Sequence, residues 1–182
     1  MNKRRRLIVA IGAGALAAPL ACFAQQQTAK VPRIGLILAS AVSDMPIQIE
    51  ALRAGLRELG YVEGKNIVLE FRSSEGNYGR LPELAAELVR LKVDIIVSPG
   101  TPATQAAKAA TTTIPVVMVG AGDPVASGLV ASLARPGGNV TGTSNLSPEL
   151  LVKRLELLKE AHPSVRRVAV LLNPANPAQK LS

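Results

Sequence analysis

Three short polar stretches in this sequence follow apolar runs and carry side chains able to hold a small charged molecule. They are "SAVSD" at 40–44, "SPGTPAT" at 98–104 and "GAGDP" at 120–124. In the second, Thr101 precedes Pro102, the arrangement of a helix N-cap followed by proline at the first helical position. Gly100 permits close backbone approach, and the free amides of a helix start attract an anion such as a carboxylate. Thr104, one turn further on, adds a hydroxyl. Asp123-Pro124 repeats the cap arrangement, and as a ligand group the Asp123 carboxylate draws an ammonium. Capping alone accounts for Thr101, Pro102 and Asp123 with no ligand. A carboxylate site beside an ammonium site, with Ser40 on the same rim, would nevertheless suit an amino acid.

Catalytic chemistry has less to work with. His162 is the sole histidine and stands beside Pro163 at a helix end, where a cation caps the helix. It has no evident nucleophile partner, and no metal-ligand cluster is present. Gly120-x-Gly122 fails as a dinucleotide fingerprint because Val125 occupies the place of the third glycine. Gly137 and Gly142 have P-loop spacing, but Thr143 follows where lysine is required. No enzyme activity and no cofactor is expected.

The elements that must position these loops alternate along the chain. Apolar runs at 34–39, 67–71, 94–97 and 116–119 read as strands, with a fifth at 140–143. Between them, Leu52, Leu56 and Leu59 share one helical face, Leu81, Leu84, Leu88 and Leu91 another, and 102–110 is a short alanine-rich helix. A further helix is expected over 125–133. This order predicts an α/β domain with a doubly wound parallel sheet and right-handed crossovers. Ligands of such sheets bind outside the carboxyl ends of the strands, where all three polar loops fall. A helix over 149–161 and a strand over 168–172 then follow.

Composition narrows the partners. Hydrophobic residues make up 48% of the chain, enough for a core, while aromatics are 2% and Trp is absent. Few side chains are therefore available for nucleic-acid bases to stack on, and no nucleic-acid partner is expected. Lys3, Arg4, Arg5 and Arg6 carry four of the formal charge of +8. With the apolar run after them and "ACFA" before Gln25, residues 1–24 have the layout of a cleaved signal peptide, and 25–32 that of a tether. The triple arginine also fits a twin-arginine export pattern loosely. Cys22 is the only cysteine, and Pro19 stands where a lipid-anchoring signal wants leucine, which argues against an anchor.

Four longer stretches carry a resemblance. "GLRELGYVEGKNIVLEFRSSEGNYGRLPELAAELV", "GTPATQAAKAATTTIPVVMV", "GDPVASGLVASLARPGGNVTG" and "KRLELLKEAHPSVRRVAVLLNPANP" together resemble the ABC-transporter substrate-binding proteins of the tryptophan- and tyrosine-binding type. The resemblance implies a two-lobed periplasmic-binding-protein fold closing on a small solute, a monomer located in the periplasm, and an ABC permease of the inner membrane as partner. It also implies Asn145 and Asn173 as ligand-side residues from the hinge and the second lobe. On this reading 33–144 is the first lobe and 145–182 is the hinge helix and the start of a truncated second lobe, so the fragment is expected to be inactive. A ligand-sensing domain of a signalling system is the alternative function.

Overall fold

The computed structural model describes residues 30–145, 147–171, 173, 174 and 176, and the side chains of 147–149 and 151 are not among those described. The chain divides into two compact units, 1–31 and 32–182. Of the first, only Lys30 and Val31 are described, so the expected signal peptide, most of the expected tether and Cys22 lie outside the described residues. Among the described residues no helix is long and apolar enough to cross a membrane.

The second unit is built on five parallel strands: β1 (Arg33–Leu38), β2 (Val68–Ser73), β3 (Ile95–Pro99), β4 (Val116–Gly122) and β5 (Val140–Asn145). Their order in the sheet is β2-β1-β3-β4-β5. The chain thus turns to one side of β1 and then to the other, the doubly wound arrangement in which loops at the carboxyl ends diverge and leave a crevice. The central strands read as continuous apolar runs because both faces are covered. In β1, Leu36, Ile37 and Leu38 are all buried.

Among the described residues there are four α-helices: α1 (Pro46–Glu58), α2 (Leu81–Arg90), α3 (Thr101–Ala110) and α4 (Ser147–Ala161). The inward stripe of α2 is Leu81, Leu84, Ala85 and Leu88, at the spacing of one helical face. In α1 the covered face runs through Ile49, Leu52 and Leu56, while Leu59 is exposed. Leu59 lies past the last turn, where Gly60 takes φ +84° and turns the chain away. The Gly60 amide bonds to Arg57 O and the Tyr61 amide to Leu56 O, satisfying carbonyls that the helix end leaves open.

Two sequence expectations are corrected. Residues 125–133 form no helix: 125–128 are turns, and bends and irregular backbone follow to 133. The amides of Leu129 and Val130 both go back to Pro124 O, and Gly128 at φ +69° stops any further turn. Leu129 and Val130 are nonetheless buried, so the apolar pattern reported burial correctly and periodicity wrongly. The second correction concerns 168–172. Among the described residues Val168 to Leu171 pair with no strand, and Leu171 is 100% exposed. An apolar run makes a strand only where a neighbour accepts its backbone hydrogen bonds, and no described strand does so here. Leu172 lies outside the described residues.

Candidate functional site

The carboxyl ends of β1, β3 and β4 bring the three polar loops onto one rim, with the loop after β2 beside them. Thr101 is the first residue of α3, and Gly100, at φ +76°, occupies the N-cap position. The expectation that Thr101 caps its own helix is therefore corrected. Its hydroxyl instead crosses to β4, where it accepts from the Gly122 amide at 3.1 Å and faces Gly122 O at 3.4 Å. A side chain thus completes the strand end where a neighbouring backbone would otherwise pair. Thr101 is 1% exposed, so it shapes the rim from below.

Thr104 is wholly buried one turn later. Its hydroxyl lies 2.7 Å from Gly100 O, 3.1 Å from Ser98 O and 3.0 Å from Ser98 Oγ. A hydroxyl has one proton, so donation to the nearer Gly100 carbonyl leaves Ser98 Oγ to donate to Thr104. This small network locks the β3–α3 turn. Thr104→Val, nearly isosteric, strands the Ser98 hydroxyl and is expected to cost about 1–3 kcal/mol, read as a lowered midpoint in urea unfolding.

Asp123 follows β4 at φ +21° and is half-buried. Oδ1 accepts from the Val125 amide at 3.2 Å and the Ala126 amide at 2.9 Å, and the Asp123 carbonyl accepts from Ser127 N and Oγ. The capping role read from Asp123-Pro124 is thus present, spent on a turn instead of a helix. Asn145 ends β5 directly opposite Gly122 in the strand register. Thr101, Asp123 and Asn145 therefore converge on Gly122. Ser40 lies on the far side of β3, after β1, where its carbonyl accepts from Ser73 Oγ at 2.8 Å. Asn173 is placed elsewhere, with Nδ2 donating to Tyr78 Oη at 3.3 Å on the β2 side of the rim.

Several residues that shape this rim carry no motif in the sequence. Ser74 Oγ donates to Ala39 O at 2.8 Å, joining the loops after β1 and β2. Thr143 Oγ1 accepts from the Gly120 amide at 3.1 Å, at the point where the β4–β5 register shifts between Met118 and Ala121. That shift is a bulge, which re-aims the end of β4 and with it Asp123. The serine pair at 73–74 was the one visible signal, since it follows a strand as the other three loops do. Among the described residues no group of histidine, cysteine and acidic side chains could hold a metal ion.

A doubly wound parallel sheet with its polar loops gathered at the strand ends defines a periplasmic-binding-protein-like α/β lobe. The chain belongs to the ABC transporter substrate binding protein family, whose model matches residues 36–181. Among curated relatives, a tyrosine-binding protein of Clostridioides difficile (strain R20291) is 37% identical over 126 residues, covering 69% of this chain and 36% of that protein. Among solved structures, a conserved domain protein of Vibrio cholerae superposes with a TM-score of 0.74 at 35% identity, over 82% of this chain and 50% of the other. A Streptococcus pneumonia ABC domain in complex with L-Trp gives 0.58 at 33% identity, over 62% and 38%. The chain spans half or less of the length of each of these relatives.

Proposed function

We propose that this chain forms one wall of a cleft that binds a small polar solute of the amino-acid class, for delivery to an ABC permease. The observation that carries this reading is the match of the lobe, strand-end loops included, to binding proteins of one family, one of them described as tyrosine-binding and another solved with L-Trp. Binding, with no chemical conversion of the solute, is then the whole activity. A leader at 1–24 would carry the protein to the periplasm, and a second lobe in the parent protein would supply the opposite wall, closing on the solute as a hinged pair.

Within this wall the roles divide by exposure. Asp123 offers a carboxylate to the ammonium end of the solute, with Asn145 as a neighbouring polar group and Ser40 further along the rim beyond β3. Thr101 and Thr104 are positioning residues, because both hydroxyls are buried and satisfied. The test is calorimetric titration of the full-length parent protein with L-tyrosine, L-tryptophan and a panel of other amino acids. Asp123→Asn keeps an oxygen to accept from the Val125 and Ala126 amides while removing the charge, and Asp123→Ala removes both. Each is expected to weaken an amino-acid ligand by about 1.5–3 kcal/mol, the worth of a charge-assisted hydrogen bond. Unchanged affinity in Asp123→Asn would remove Asp123 from the site. Heatless titrations across the whole panel would sink the amino-acid reading.

A further inference from the structure

The core-facing residues of β4 fall out of step along the strand. Val116 and Met118 point into the core two residues apart, as strand alternation requires, but the next to do so is Ala121, three residues on. The strand register contains the same extra residue. Met118 pairs with Gly142 and Ala121 with Ser144, so Val119 and Gly120 together stand against the single residue Thr143. Bulges are rare between parallel strands and over-represented beside active sites. One inserted residue inverts the face that every later side chain of the strand takes. Without it, Gly120 and Gly122 would face the core and Ala121 would not.

Three hydrogen bonds hold the inserted stretch. Val119 O accepts from the Gly100 amide at 2.9 Å, the Gly122 amide donates to Thr101 Oγ1 at 3.1 Å, and the Gly120 amide donates to Thr143 Oγ1 at 3.1 Å. The first two tie β4 to the β3–α3 turn. The third ties it to β5 through a side chain that is itself exposed. Gly120 stands at φ +62°, and beyond its chain neighbours no atom lies within 4 Å of where a Cβ would be. Packing around Gly120 therefore does not force its conformation, which leaves the bond to Thr143 to fix it. Asp123 follows three residues later, and its Oδ1 is aimed so as to accept from both the Val125 and Ala126 amides.

We propose that Thr143 is a positioning residue for the solute site: its hydroxyl holds the β4 bulge, and the bulge aims the Asp123 carboxylate. The consequence for solute binding rests on the function proposed above. The hold on Asp123 is testable without any solute.

Hydrogen–deuterium exchange on the full chain separates this path from a general loosening. Thr143→Val keeps the β-branched shape at an exposed strand position and removes the acceptor. It is expected to raise exchange of the Gly120 amide about 2- to 10-fold, as follows from losing one hydrogen bond, and that of the Val125 and Ala126 amides by a similar factor. The Leu88 amide, in the buried stripe of α2, should not change. Thr143→Ser keeps a hydroxyl and should restore all three. Unchanged exchange at Gly120, faster exchange at Gly120 alone, or an equal rise at Leu88 would each overturn the proposal. In the parent protein titrated with L-tyrosine or L-tryptophan, Thr143→Val is expected to weaken binding about 2- to 10-fold. Added to Asp123→Asn, it should weaken binding no further, and losses that simply add would overturn the proposed path through Asp123. If neither probe binds the unaltered parent, the amino-acid reading fails while the exchange pattern still decides the role of Thr143.

Discussion

Gly142→Ala is expected to unfold the β4–β5 pairing and with it the rim. Gly142 sits opposite Met118 at φ +133°, a backbone conformation that side-chain-bearing residues rarely adopt. A Cβ built there falls well inside van der Waals contact distance of Met118 O and 2.8 Å from Met118 N, so the obstacle is backbone that cannot swing aside. Left-handed strain costs about 1–3 kcal/mol, and forced overpacking adds a similar amount. Their sum, about 2–6 kcal/mol, is a large share of the stability of a domain this size. Because the register shift between Met118 and Ala121 depends on this close pairing, the end of β4 should move as well, taking Asp123 with it. Thermal unfolding monitored by circular dichroism checks the first part, and loss of the Gly120–Thr143 hydrogen bond, seen as faster exchange of the Gly120 amide, checks the second. A variant with the parental midpoint and protected Gly120 would show that the strand pair tolerates a wider spacing.

The other large effect lies on the opposite side of β1. Leu88 is 0% exposed in α2, and its two methyl groups stand 3.0 Å from where a Cβ on Gly35 would be. Helix and strand touch here because Gly35 has no side chain. Leu88→Ala leaves a void that Gly35 cannot fill, since it has nothing to rotate into it. The expected cost is about 2–5 kcal/mol, toward the upper end because Val93, Ile37 and Ile96 belong to the same core and are held by strand pairing or its immediate neighbours. A rescue experiment is built into the contact: Gly35→Ala alone is expected to crowd Leu88 and destabilise, whereas combined with Leu88→Ala it should recover part of the loss. Denaturant midpoints of the two single variants and the double would measure the coupling. Strict additivity would mean that α2 shifts over β1 freely and that the fit is loose.

The alternation of apolar runs and helical stripes was legible in the sequence because it reports burial locally, residue by residue. It located the five strands and four α-helices found among the described residues, and with them the α/β class. It failed where burial and regular structure part company. Leu129 and Val130 are buried without a helix, since Pro124 and Gly128 shape consecutive turns around them. Val168 to Leu171 are apolar without a strand, since strand formation depends on a partner elsewhere in space.

The strand-end loops were likewise legible as loops, and the one-dimensional order was enough to put Ser40, Thr101, Thr104 and Asp123 at carboxyl ends of strands. The four quoted stretches were also enough to identify the family. What each side chain does there was decided by tertiary structure. Nothing local to "GTPAT" reveals that the Thr101 hydroxyl leaves its own helix for the Gly122 peptide, or that Thr104 and Ser98 satisfy each other out of reach of solvent. The first depends on β4 lying beside β3, a pairing set by sheet order, and the second on how α3 turns back over the end of β3. The register that puts Asn145 opposite Gly122, and the contact of Asn173 with Tyr78 in place of the Gly122 cluster, are of the same kind. Hydrogen bonds form over about 3 Å, whereas the sequence separations involved run from 6 to 95 residues, so only the folded chain selects the partners.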